Sequence, residues 1–465
     1  MKKIYLLASF FSISLLAACD SENEIKPAEK EEQQEQQEAA DSLWLQEEDI
    51  YNNPYTRRKS ITLDNEQKEI SSSLNTFSWR LFTKTFENKK ETNLLLSPFS
   101  LTQNLMMLSN GLRGNTLEEI KLVFGVSEFE MEELNRYVLQ MNQGLEEADS
   151  RTKYRTDNSV WYRNNLVMRP EFSESVGQYY KAETFPSAMD SQTLDSINTW
   201  TYQKTFGRIK DFLSTISPAA QSVMVNTVYF RGQWFNKLSE KHVRDGVFRN
   251  ESGAKETAKL VMYHGESNYS ENYAYQATTR SLGNKAYAMD FILPKEGVQP
   301  SAALTQYIQD ANPNMYTRYV KLDFPRFESG TKMGLNEVLK TVGITRLFQP
   351  ENQNDFCIFN EPSFIDVIQQ ETSISVSEKG VEAAAATASV PKTDAGETTP
   401  PDTVYMKLER PFFYTIRETS TNTPLFIGYQ GRLRAASEEN TRVIISRISR
   451  NIALSLWRDW RDLRE

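Results

Sequence analysis

The segment Glu378-Lys-Gly-Val-Glu-Ala-Ala-Ala-Ala-Thr-Ala-Ser-Val-Pro-Lys-Thr-Asp-Ala-Gly-Glu-Thr-Thr-Pro-Pro-Asp402 decides how the chain is read. It begins as a run of small residues and ends as a loop bounded by Pro391, Pro400 and Pro401. Alanine is the best helix former, yet four alanines flanked by Thr and Ser are too few, and too poorly capped, to hold a helix alone. The runs Ile365 to Val376 before it and Val404 to Leu408 after it read as strands. A loop with a small-residue stem between two strands can slide into a sheet as an extra strand, because its side chains do not collide with the packed layer beneath. Such a strand forms on the order of ten new backbone hydrogen bonds at roughly 0.5–1.5 kcal/mol net each, enough to drive a large rearrangement.

Outward from this loop, helices dominate the first half of the chain and strands the second, so the fold class expected is α+β. Order is expected from about Ser71, where Leu74, Phe77, Leu81, Phe82 and Phe86 recur at helical spacing. Further helices are expected over Leu101 to Ser109, Thr116 to Val123 with Thr116 as its cap, Met131 to Glu146 and Asn336 to Val342. Val223 to Phe230 reads as a strand buried on both faces. Further strands are expected over Ala286 to Leu293, Tyr319 to Phe324, Phe412 to Arg417 and Leu425 to Tyr429.

Catalysis is disfavoured by what the chain lacks. It holds two histidines, His242 and His264, neither in a metalloprotease motif, and no nucleophile elbow or phosphate loop is present. No cofactor or metal is expected. The two cysteines, Cys19 and Cys357, exclude a Cys-cluster metal site and make an intrachain disulfide unexpected. Cys357, in an apolar run, reads as a buried structural thiol.

With these residues in place the chain resembles the serpins from about residue 71 to 433. Asn93-Leu-Leu-Leu-Ser-Pro-Phe-Ser100 is similar to the family's Asn-x-x-x-Ser-Pro-x-Ser motif, and Val225-Asn226-Thr-Val-Tyr-Phe230 with Gly232 and Trp234 to its central strand. Leu335 to Phe348, and Arg410-Pro411-Phe412 with Pro424-Leu-Phe-Ile-Gly428, match two further signatures. The resemblance implies about three β-sheets and about nine helices. It also implies a loop hinge at Glu378, Gly380, Val381, Ala383, Ala384, Ala385 and Ala386, and suicide inhibition of a serine or cysteine peptidase by a monomer. The target cleaves the loop, is held as an acyl-enzyme, and is distorted as the loop inserts. Family spacing puts the reactive bond at Asp394-Ala395, while side-chain chemistry offers Lys392-Thr393 for a trypsin-like target and Thr393 or Val390 for an elastase-like one. The family's shutter histidine aligns with Gln370, whose expected partners are Ser97, Ser100 and Asn226; Gln donates and accepts as neutral His does. A serpin-fold protein that binds a partner without inhibiting is the alternative.

The ends carry addresses. Met1 to Cys19 reads as a signal peptide, with Lys2 and Lys3, an apolar run, and a Leu16-Ala17-Ala18-Cys19 ending that resembles the bacterial lipobox, so residues 1–18 are expected to be removed and Cys19 lipidated. A bacterial cell-envelope location follows, at the outer membrane or cell surface. From Asp20 to Asp49 twelve acids and two lysines carry the whole of the formal charge of −9, which leaves a near-neutral body and gives no reason to expect a nucleic-acid partner. Residues 19–70 read as a solvated spacer. In 434–465 Ile445, Ile448, Ile452, Leu456, Trp460 and Leu463 fall at spacings that predict an amphipathic helix.

Overall fold

The computed structural model describes residues 56–89, 92–310, 315–363, 368–381 and 402–433. The elements, in chain order, are α1 (Asn65–Glu87), β1 (Leu94–Leu96), α2 (Pro98–Ser109), α3 (Gly114–Phe124), α4 (Met131–Glu147), β2 (Thr152–Arg163), α5 (Pro170–Tyr180), β3 (Glu183–Ser187), α6 (Ser191–Lys204) and β4 (Ser222–Gln233). There follow β5 (Val243–Arg249), β6 (Lys255–Glu271), β7 (Tyr275–Leu282), β8 (Tyr287–Pro294), α7 (Pro300–Asp310), β9 (Tyr316–Pro325), β10 (Phe327–Gly334) and α8 (Asn336–Thr341). The last are β11 (Gln369–Val376), β12 (Gly380–Val381), β13 (Val404–Lys407), β14 (Phe412–Glu418) and β15 (Pro424–Gln430). The α+β class is as expected.

Two hydrogen-bonded sheets result. The larger runs β1-β15-β14-β8-β7-β6-β9-β13 with β5 beside β6, and the smaller runs β10-β11-β12-β4-β2-β3. The third sheet expected is the β5, β6, β9 and β13 part of the larger one, joined to the rest through the long strand β6, which pairs with β7 only from Tyr269 to Glu271. The main core includes Phe77 and Phe82 of α1, Leu105 of α2, Phe291 of β8, Phe412 and Tyr414 of β14, and Ile427 of β15. A smaller cluster, Trp161, Ile197, Trp200 and Val225, seats α6 on β2 and β4.

The first helix starts earlier than expected. Asp64 caps it by accepting from the Gln67 backbone N at 2.8 Å while Gln67 Oε1 accepts from the Asp64 N, a capping box. Ile61 and Leu63 ahead of it are buried, and Ile61 N donates to Ser420 Oγ. Residues 56–70 therefore pack on the body rather than belonging to the solvated spacer. Their polar majority hides two apolar anchors too few to show a period.

Thr116 is not the cap of α3. The helix begins at Gly114, and Thr116 lies buried in its first turn, where its Oγ1 donates to Asp355 Oδ2 at 2.6 Å. Glu119 reaches instead to the backbone N–H groups of Thr345 and Arg346. Cys357 is half-buried rather than buried. The short strand runs and the polar helices α5, α6 and α7 escape periodicity because each buries only three or four residues.

A chain trimmed to begin at Ser71 loses the capping box and the burial of Ile61 and Leu63. Relative to one that begins at Thr56, its urea unfolding is expected to show a loss of about 3 kcal/mol or more.

Candidate functional site

The centre of the smaller sheet is where the quoted loop enters the fold. Within the described residues β12 spans Gly380 and Val381 and is antiparallel to both neighbours, with Gly380 opposite Gln233, and Val381 opposite both Gly232 of β4 and Val376 of β11. Among the described residues no ladder joins β4 directly to β11. β12 is thus a wedge at one end of a slot between two parallel strands. The expectation of burial on both faces is corrected for β4, where Val225, Thr227 and Tyr229 are buried but Val223, Met224, Asn226 and Val228 are only half-buried.

Backbone and side chains hold the wedge from both sides. Trp234, fully buried, donates from Nε1 to the Ser377 carbonyl at 2.8 Å and from its backbone N to the Lys379 carbonyl. Ser377 N donates to the Gly380 carbonyl, closing a tight turn. Glu378 is 3% exposed, and its carboxylate accepts from Arg326 Nε at 2.7 Å; Arg326 also bonds Glu240. Gly380 has φ +150°, and a Cβ there would lie 2.1 Å from the Gly232 carbonyl oxygen, so no larger residue fits while β12 is paired. Val381 is fully buried.

The four residues expected to form a shutter divide into two pairs. Gln370 on β11 clasps the backbone of Ser97, accepting from its N at 3.0 Å and donating to its carbonyl at 2.9 Å, while Ser97 Oγ donates to the Leu425 carbonyl. On the other lip Ser100 Oγ donates to Asn226 Oδ1, and Asn226 Nδ2 donates to Asn158 Oδ1 at 2.7 Å and to Thr156 Oγ1. Contrary to expectation, Gln370 bonds neither Ser100 nor Asn226. The bidentate clasp turns both the oxygen and the nitrogen of the Gln370 amide to the Ser97 backbone, on its own side of the slot. The first turn of α2, with Ser97 and Ser100 tied to opposite lips, makes the connection instead.

Glu371, next to Gln370 on the outward face of β11, was not singled out by the sequence. Burial raises its carboxyl above the ordinary glutamate value; the Lys332 cation at 3.8 Å opposes this and Asp211 adds to it, and its Oε2 has no hydrogen-bond partner. No motif marks it, because its cost comes from the sheet around it. The hinge alanines Ala383, Ala384, Ala385 and Ala386, the bond candidates Lys392, Thr393, Asp394 and Ala395, and Cys19 with residues 434–465 lie outside the described residues. His242 and His264 are exposed.

Because the folded state favours protonated Glu371, it takes up a proton more readily than the unfolded chain, and stability from this group falls as pH rises from the ordinary glutamate value through the raised one. Glu371→Gln is expected to raise the unfolding midpoint near neutral pH, and the gain should vanish below the ordinary glutamate value, read from melting curves across that range.

The sequence model of the family described as "Serpin (serine protease inhibitor)" matches residues 72–430. An uncharacterized serpin-like protein of Thermococcus kodakarensis is 29% identical over 391 residues, covering 82% of this chain and 89% of that one. The native state of the thermophilic serpin tengpin superposes with TM-score 0.73 at 26% identity, over 83% of this chain and 99% of that one. The latent state of tengpin gives 0.67 at 25% identity, over 81% and 100%. A loop that leaves the middle of one sheet to reach the edge of another, in a fold matched over nearly the whole of these relatives, places this chain in the serpin family of serine protease inhibitors.

Proposed function

We propose that the protein is a suicide inhibitor of serine or cysteine peptidases. The observation that carries this reading is the register of β12. Continued past Val381, the pairing would carry Glu382 to Val390 along β4 from Arg231 to Val223, and Pro391 would fall opposite Ser222, the first residue of that strand. On the other side the same continuation would bring Thr387 opposite Gln370. The residues that would share the buried face of Val381 are Ala383, Ala385, Thr387 and Ser389, all small. The slot therefore suits the hinge in length, and the first proline comes where the strand ends.

In this mechanism the target's nucleophile attacks the carbonyl carbon of the bait residue, the peptide bond breaks, and the new amino terminus leaves. Insertion of the freed hinge then carries the acyl-enzyme away and distorts it before water can hydrolyse the ester or thioester. The bait bond assigned is Asp394-Ala395, with Lys392 and Thr393 as alternatives.

A second reading, a serpin-fold protein that binds without inhibiting, is favoured by one feature: Gln370 makes no bond across the slot to Asn226. Protein lacking residues 1–19, incubated with a panel of serine and cysteine peptidases, decides between them. The expected outcome is a denaturant-resistant complex with one cut between Val390 and Thr399. Ala384→Pro should leave the cut and abolish the complex, because proline removes a ladder hydrogen bond from the inserting strand. Cleavage with no complex in the unsubstituted protein would establish the second reading.

The same proposal includes an anchor. Cys19, lipidated after removal of residues 1–18, would hold the inhibitor at the bacterial envelope, since more than one acyl chain gives firm membrane binding. The full chain should sediment with membranes and Cys19→Ala should not; equal partitioning of both would end this part of the reading.

A further inference from the structure

β6 turns away from β7 at Tyr269 to pair with β9, while β7 continues beside β8. A cavity of about 710 Å³ lies where the strands part. That volume suits a small organic molecule rather than a bare ion.

Its lining is cationic. Arg58, Arg280, Lys285 and Arg417 contribute positive charge, and Glu266 is the one acidic group among the lining residues. Arg417 is neutralised, because its Nε lies 2.7 Å from the buried Asp290 carboxylate. Among the described residues no carboxylate pairs with the other three. Arg58 donates to the Lys285 carbonyl and to Thr419 Oγ1, and the Lys285 ammonium sits 4.3 Å from the Phe235 ring.

Arg280 is the unusual member. It is 3% exposed, and its Nη2 donates to the Asn236 carbonyl at 3.2 Å while its Nε has no partner among the described residues. The guanidinium lies 3.4 Å from the Tyr263 ring centroid and 5.4 Å from that of Trp234. Burial lowers its pKa to about 10. A buried cation without a counter-charge is costly, and a guanidinium is the group best shaped to take a carboxylate or phosphate in its fork. Asn268, Ser281 and Thr317 add polar side chains to the same wall, and Phe235 adds an apolar one.

We propose that this cavity binds a small polyhydroxylated anion, a sugar acid or sugar phosphate, with Arg280 and Lys285 holding its charged group. Such a ligand draws on Arg280, which stacks on Trp234, the residue that clamps the loop hinge. The site is separate from the slot and does not depend on whether the protein inhibits a peptidase.

The test is calorimetric titration of the full chain with glucuronate and with glucose phosphate, glucose serving as the neutral control. Saturable binding of at least one anion is expected, with the preferred anion telling carboxylate from phosphate recognition. Lys285→Gln, at an exposed position, should weaken it about tenfold, and Arg280→Met should weaken it at least as much. No saturable binding, glucose binding as tightly as the anions, or an affinity that Lys285→Gln leaves unchanged would overturn the proposal. If Arg280→Met fails to fold, Lys285→Gln carries the test alone.

Discussion

The middle of the smaller sheet is held together at one end by two residues. β12 contributes Gly380 and Val381 between β4 and β11, and beyond them no ladder closes the two parallel strands among the described residues. The remaining pairing groups of β4 amount to room for about ten hydrogen bonds at roughly 0.5–1.5 kcal/mol net each, a sum comparable with the whole stability of an ordinary domain. On the proposed function, those groups are the ones an inserted strand would pair with. In the proposed function that strand is the small-residue segment that follows Val381 in the same chain.

Under the proposed insertion, the groups near the wedge bear on when that strand can enter. Trp234 and the Glu378–Arg326 pair hold the turn that precedes it. Gly380 lets the backbone approach Gly232 closely enough to pair. The two lips are tied to one helix terminus, Ser97 to Gln370 and Ser100 to Asn226, so movement of the lips apart must be accommodated at the first turn of α2. Glu371 places a partly desolvated carboxyl on one lip, which makes the energetics of the slot sensitive to proton uptake. The larger sheet supplies the fixed frame: β13, where the loop returns, is paired to β9 along its length.

Many of the long elements were legible because their residues repeat. Leu74, Phe77, Leu81 and Phe82 mark α1, and Phe412 to Arg417 and Leu425 to Tyr429 mark β14 and β15, since apolar periodicity reports burial directly. The start of α1 was not legible, because Asp64 and Gln67 look like any polar linker until the capping box is formed and Ile61 meets the body. Thr116 shows the same limit in reverse. It has the sequence of a cap, but Asp355, far away in the chain, satisfies the helix and buries it. Gln370 was singled out because it aligns with the family's shutter histidine, yet its choice of Ser97 over Asn226 depends on distances that no spacing encodes.

The sequence by itself determined the class of fold, the serpin resemblance and the nature of the loop, because composition and local spacing carry those: small residues at the hinge, prolines beyond it, paired motifs in order. The tertiary structure alone decided that Gly380 and Val381 pair between β4 and β11 and that the four residues expected at the shutter form two separate pairs. It also decided that a buried guanidinium, with no carboxylate partner among the described residues, lines a cavity beside Trp234. These depend on which distant groups meet, and on what burial then costs a charge or an unmade hydrogen bond.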